Sequence, residues 1–102
     1  MGNSGIPASV IEELAALFRR NGYVRPPVRK RLAVKGRGHF HRGFEFRLTA
    51  DSRRELRHIR RLLRQAKFKP GHSFAKASQY RQPVYGLRPL ERFLELIGEQ
   101  DA

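Results

Sequence analysis

A two-layer α+β fold in the order αββαββα, with helices on one face of a four-stranded antiparallel sheet, is the architecture this chain predicts. Three observations predict it. Apolar residues recur at helical spacing in three separate stretches, each bounded by capping or breaking residues. Pairs of strand-like stretches lie between the first and second of these and between the second and third. Short turns of glycine or small residues join the members of each pair, and strands joined in that way run antiparallel. The length of 102 residues accommodates one domain with a modest core.

Residues 1–6 read as a flexible end, residues 7–98 as the single domain and residues 99–102 as a flexible C-terminus. The first helix is expected from Pro7 or Ser9 to Arg20, with Val10, Leu14, Leu17 and Phe18 as its apolar stripe. Proline suits a first turn, Ser9 with Glu12 forms a capping box if the helix begins later, and Asn21-Gly22 is a stop. A strand follows from Tyr23 to Val34, in which Pro26-Pro27 confines the first part to an edge or a bulge. Lys35-Gly36-Arg37-Gly38 is the turn into a second strand from His39 to Leu48. There Phe40, Phe44, Phe46 and Leu48 share one side, and His39, His41, Glu45 and Arg47 the other, the alternation of a half-buried strand.

The second helix opens on a capping box of Ser52 and Glu55 and buries Leu56, Ile59, Leu62, Leu63 and Ala66. Phe68 to Lys76 and Gln79 to Tyr85 form the second hairpin, turning near Ala77-Ser78 and ended by Gly86. Pro89 opens the third helix, with Leu90, Phe93, Leu94 and Ile97 facing inward and Gly98 as its stop. Glu91, Glu95 and Glu99 are read as solvent-facing compensation for Arg88 and Arg92.

Twenty-two Lys and Arg against nine acids give a net charge of +13. Charge on this scale concerns partners rather than fold, and nucleic acid is the default polyanion. The chain has no cysteine, which excludes disulfides and thiolate zinc sites, and its four histidines are too scattered for a metal box. No metal, cofactor or small-molecule substrate is expected. Nothing resembles a glycine-rich phosphate loop, a Ser-His-Asp set or a zinc helix. No apolar run has the length of a membrane span and the first residues lack a signal core, so a cytoplasmic protein without a membrane partner is expected.

The cations are not evenly spread. Arg25, Arg29, Arg31 and Lys35 share one parity in the first strand, and His39, His41 and Arg47 take the polar parity of the second. Lys69, His72, Lys76 and Arg81 extend this set across the second hairpin, where the parity is ambiguous. Together they predict a cationic layer on the open side of the sheet, with Glu45 the single acid of the first hairpin. A two-stranded ribbon fits the major groove of B-DNA, whereas the major groove of A-form RNA is too narrow for one. Tyr23 and Tyr85 are the candidates for stacking on single-stranded bases, a less favoured mode. The second helix adds an arginine stripe of Arg53, Arg57, Arg60 and Arg64 with Arg54 and Arg61 beside it, which suits a second phosphate surface or an acidic partner.

Leu14-Ala15-Ala16-Leu17-Phe18-Arg19-Arg20-Asn21-Gly22 resembles a degenerate copy of the motif that names the LAGLIDADG homing endonucleases. The likeness covers about residues 8–98. It extends to the element order and to Tyr80-Arg81-Gln82-Pro83-Val84-Tyr85-Gly86 with Leu90-Glu91-Arg92-Phe93-Leu94-Glu95-Leu96-Ile97-Gly98, which look like that family's final strand and helix. In that family the motif helix packs against its twin and ends in an acid that holds the divalent ion for phosphodiester cleavage. Here Arg19 and Asn21 replace the two acids, and a neutral amide brings a hard cation no charge. Glu12 and Glu13 stand about two turns earlier on the helix.

The resemblance implies a catalytically degenerate scaffold that binds double-stranded DNA, with Asn21 as the lost metal position. It implies a homodimer built on Leu14, Ala15, Ala16 and Phe18, because one unit supplies half of the family's binding saddle. The rival readings are an active metal-dependent endonuclease with a displaced acid, and an RNA-binding protein.

Overall fold

The computed structural model describes residues 5–25 and 43–101, and the side chains of these as far as Gly98. The first helix, α1, spans Ala8–Asn21. Pro7 occupies its N-cap in extended geometry, and its carbonyl accepts from the N–H groups of Val10 and Ile11. Because the helix starts before Ser9, that residue lies inside the first turn and no side chain caps the end. The helix closes where the Gly22 N–H donates to the Phe18 carbonyl. A Cβ at Gly22 would stand 2.5 Å from the Phe18 ring, so this stop has no room for a side chain.

Four strands follow from the two expected pairs: β1 (Tyr23–Arg25), β2 (Glu45–Ala50), β3 (Phe74–Lys76) and β4 (Gln79–Tyr85). They form one antiparallel sheet in the order β1-β2-β4-β3, so the two units meet along β2 and β4 at its centre. The rest of the predicted first strand, with its prolines, the basic turn and His39 to Arg42, lies outside the described residues, as do residues 1–4 and 102. Ile6, expected to be flexible, packs against the core. β2 runs past Leu48 because Thr49 and Ala50 still find partners in Arg81 and Tyr80. It is also buried on both sides rather than on one.

The third strand is shorter than its predicted Phe68 to Lys76. Phe68 turns into the core, edge-on to Phe46 and Phe93, and the stretch through Pro70 is not strand. The Gly71 N–H donates to the Pro83 carbonyl and the Gln82 side-chain amide donates to the Gly71 carbonyl, and these bonds hold it to β4. Proline lacks the N–H that a ladder would need there.

The second helix, α2, spans Arg53–Gln65 and begins as its box predicts, with the Ser52 hydroxyl accepting from the Glu55 N–H at 3.1 Å. Its far end is a Schellman turn: Phe68 N–H reaches the Leu63 carbonyl, Lys67 N–H the Arg64 carbonyl, and Lys67 takes a φ of 68°. Arg92 completes that end by donating to the carbonyls of Ala66 and Lys67 while its guanidinium lies 3.9 Å from the Phe68 ring centre. Glu91 and Glu95 are exposed, as expected, and Arg92 is bonded to these carbonyls. A cation on the last carbonyls of a helix also opposes the helix dipole.

The third helix, α3, spans Leu87–Asp101 and starts two residues before Pro89. Gly86, at φ 114°, makes the reversal, and its carbonyl accepts from the Leu90 N–H. The helix passes through Gly98, where a Cβ would meet nothing within 4 Å. An exposed glycine weakens a helix without ending it. Leu94, predicted to face inward, is 41% exposed, and Leu96 is buried in its stead. The two flank the Leu90, Phe93 and Ile97 stripe on opposite sides, so a small rotation of the helix decides which is covered.

All three helices lie against β2, and the core sits between them and the sheet. At its centre the Phe46 ring stacks on Phe93 at 3.9 Å and 12°, with Phe18 and Phe68 edge-on around them. An ion pair clasps the layer from outside. Arg20, near the end of α1, donates to both carboxylate oxygens of Glu55 at 3.0 and 2.9 Å and to the Thr49 carbonyl. The Arg20 hydrogen bonds hold the Glu55 carboxyl below its usual range, burial opposes them, and the Asp51 N–H and the Arg20 charge add to them.

A depressed carboxylate contributes stability that is present at neutral pH and is lost as pH falls through the folded pKa. Glu55→Gln is therefore expected to lower the urea midpoint at neutral pH, and its curve should meet that of the wild type below the ordinary glutamate value of about 4.3. Denaturation series from neutral to acid pH test this; a constant gap between the two proteins would refute the linkage.

Candidate nucleic-acid interface

Strand side chains alternate, and residues paired across an antiparallel ladder point the same way. The pairing therefore sorts the sheet into two faces. Val24, Phe46, Leu48, Ala50, Tyr80, Gln82 and Val84 turn toward the helices. The opposite face is built in rows that cross the strands: Arg25, Glu45 and Tyr85; then Tyr23, Arg47 and Pro83; then Thr49, Arg81 and Phe74; and last Gln79 and Lys76.

Arg47 is the centre of this open face. It is only 8% exposed. Its Nε donates to Glu45 Oε2 at 2.6 Å and a terminal nitrogen donates to the Tyr23 hydroxyl at 2.6 Å. The guanidinium carbon lies 5.5 Å from the Tyr23 ring centre and 5.1 Å from that of Phe74, so two rings flank one cation. The Glu45 hydrogen bond raises the Arg47 pKa, with Tyr23 adding to it against burial. Arg47 thus stays charged with its charge already matched.

The surrounding cations stand differently. Arg25 and Lys76 are exposed at opposite ends of the face. Arg81 is half-exposed and donates to Gln79 Oε1 and, at 3.4 Å, to the Thr49 hydroxyl, while its buried Nε has no partner among the described residues. Tyr85 is 52% exposed, and its ring lies so close over Gly71 that a Cβ there would come within 2.4 Å. Beside it Arg60, Lys69, Pro70, Gly71 and His72 line a cleft of about 330 Å³.

Of the sequence-predicted binding residues, Arg25, Arg47, Lys76 and Arg81 share the open face, and Lys69 and His72 lie in the Tyr85 cleft. Arg29, Arg31, Lys35, His39 and His41 fall outside the described residues. Phe74 is the residue that sequence reasoning missed. The parity of its strand was ambiguous, and only its pairing with Arg81 puts the ring on the open side.

The arginine stripe of α2 divides on inspection. Arg60 donates to the Gly71 carbonyl and to Gln82 Oε1, and Arg53 to the Tyr80 hydroxyl, so both tie the helix to the sheet. Arg61 meets the His58 ring, and Arg54, Arg57 and Arg64 are exposed. The cleft between Arg53, Arg57, Phe74 and Tyr80 measures about 320 Å³.

Asn21 ends α1 with its side chain exposed, and its carbonyl accepts from the Thr49 hydroxyl at 3.0 Å. Asp51 is held by Gln79 and Glu55 by Arg20. Among the described residues no group of three or more His, Cys, Asp or Glu could hold a metal ion. Of the α1 residues assigned to a dimer contact, Leu14 and Ala15 are enclosed by the chain's own core. Phe18 packs edge-on to Phe93 and Ala16 is exposed. No helix among the described residues is long and apolar enough to cross a membrane.

Removing one member of a covered ion pair leaves the other charge unmatched. Glu45→Gln is expected to cost on the order of 3 kcal/mol, and Glu45→Gln with Arg47→Met less than that. Chemical denaturation of the two variants measures it. A double variant as damaged as the single one would show that the pair contributes packing and not charge matching. Scans of the chain against protein-family models, curated proteins and solved structures give no match.

Proposed function

We propose that this chain is a DNA-binding protein that lays the open face of its sheet against duplex DNA and does not cleave it. The observation that carries this reading is the charge arrangement of that face. Arg25, Lys76 and Arg81 surround a central Arg47, and the single acid in those rows, Glu45, is already bound to Arg47. A face that presents cations without free carboxylates is an electrostatic footprint for phosphate.

The likeness to the LAGLIDADG scaffold supports the duplex form of the ligand, and the strand and helix order agrees with it. On that likeness two copies would join near α1 and span a partly palindromic site, with Ala16 and the open part of Phe18 left for the contact. The absence of cleavage rests on Asn21, a neutral and exposed side chain where the family carries its metal-binding acid.

Binding to duplex DNA should weaken steeply with salt. Each phosphate contact contributes about 0.9 to the slope of log affinity against log salt, so Arg25→Ala with Lys76→Ala is expected to flatten that slope by roughly two. Arg54→Ala with Arg64→Ala on α2 should change it less. Fluorescence anisotropy titrations across a salt series decide the matter; a larger change from the helix pair would move the interface to the other side of the molecule.

Incubation of the wild type with supercoiled plasmid and Mg²⁺ or Mn²⁺ is expected to leave the plasmid intact. Asn21→Asp is expected to bring partial nicking by restoring a charged ligand. Metal-dependent cleavage by the wild type would overturn the binding-only reading.

A further inference from the structure

The open face carries rings that the core does not use. Tyr23, Phe74 and Tyr85 are 37%, 38% and 52% exposed, and all three stand on the side of the sheet away from the helices. Tyr23 and Phe74 flank the Arg47 guanidinium, and Tyr85 is seated against Gly71. The rings are thus held in place while a third or more of each residue stays open to solvent. A phenylalanine in such a position satisfies no hydrogen bond and fills no core, so its ring is available to a flat apolar ligand.

The charge pattern says where such a ligand lies. Glu45 matches Arg47, so the middle of the face has little net pull on phosphate. The exposed cations Arg25 and Lys76 stand at its ends, with Arg81 between them on β4. Backbone phosphates are drawn to those positions and bases fall over the rings. In a continuous duplex the base faces are stacked on one another and cannot meet a ring. Unpaired bases can, and they stack on aromatic side chains whatever their sequence.

We infer that Tyr23, Phe74 and Tyr85 hold unpaired bases, so that the ligand class is DNA with a single-stranded stretch, such as a gap, bulge or junction. This rests on the DNA-binding reading of the same face and narrows it.

Three labelled probes of matched phosphate number test the inference: a continuous duplex, the same duplex with a short central unpaired run, and the single strand. The probe with the unpaired run is expected to bind at least tenfold more tightly than the continuous duplex at one salt concentration. Phe74→Leu and Tyr85→Leu, which keep apolar volume and lose the ring, should each reduce that preference about fivefold or more and leave the salt slope unchanged. Tyr23 also supports Arg47, so Tyr23→Phe serves as the control that keeps the ring. The chain has no tryptophan, and quenching of its tyrosine emission on binding reports stacking directly.

Equal affinity for continuous and interrupted duplex would overturn the inference and leave the DNA-binding reading standing. So would a preference that survives both leucine variants. A lack of binding to all three probes at low salt would overturn both.

Discussion

The stack of Phe46 on Phe93 is the contact on which the rest of the molecule depends. It joins the central strand β2 to the last helix, and Phe18 from α1 and Phe68 from the end of α2 close around it. Truncating a buried phenylalanine costs about 3–5 kcal/mol, while a whole domain is stable by only about 5–15 kcal/mol. Each ring of the group is therefore a large part of the total. Because every helix is gathered on this side, the core lies on one face of the sheet, and on the other face Arg25 and Lys76, unlike the covered Arg47–Glu45 pair, stand free of the core.

Arginine does two kinds of work in the chain, and net charge alone does not separate them. Arg20, Arg47, Arg60 and Arg92 are bound to carboxylates, amides or carbonyls of the fold. They join α1 to α2, β1 to β2, α2 to β4, and α2 to α3. Their planar forks suit several acceptors at once, which a lysine would not match. Arg25, Lys76 and the outer residues of α2 remain in solvent, and their field is what an approaching polyanion meets.

Local pattern made much of the fold legible in the chain. Ser52 with Glu55 marks the start of α2, and the turn near Ala77-Ser78 with Gly86 gives β4 its limits. What stayed hidden depended on a partner far along the sequence. Whether Leu94 or Leu96 is covered turns on how α3 seats against its neighbours. The parity of Phe74 needs the register with β4, and Glu45 neutralises Arg47 only because both share one side of a covered strand. The candidate site was legible as a cationic sheet face. Tyr23 and Tyr85 were legible as candidate stacking rings, whereas Phe74 was not, since its place on the open face is a property of the assembled layers.

The end of α2 bears on how this chain folds as it is made. Lys67 adopts a left-handed conformation that a non-glycine residue disfavours, and Arg92, which steadies the carbonyls there, follows 25 residues later. The helix itself sets like charges at successive turns, which weakens it in isolation. Until α3 has left the ribosome, α2 lacks the cation at its end, and β4, which covers it together with α1 and β2, emerges only just before. The domain therefore closes late and as one cooperative unit, rather than element by element from its N-terminus.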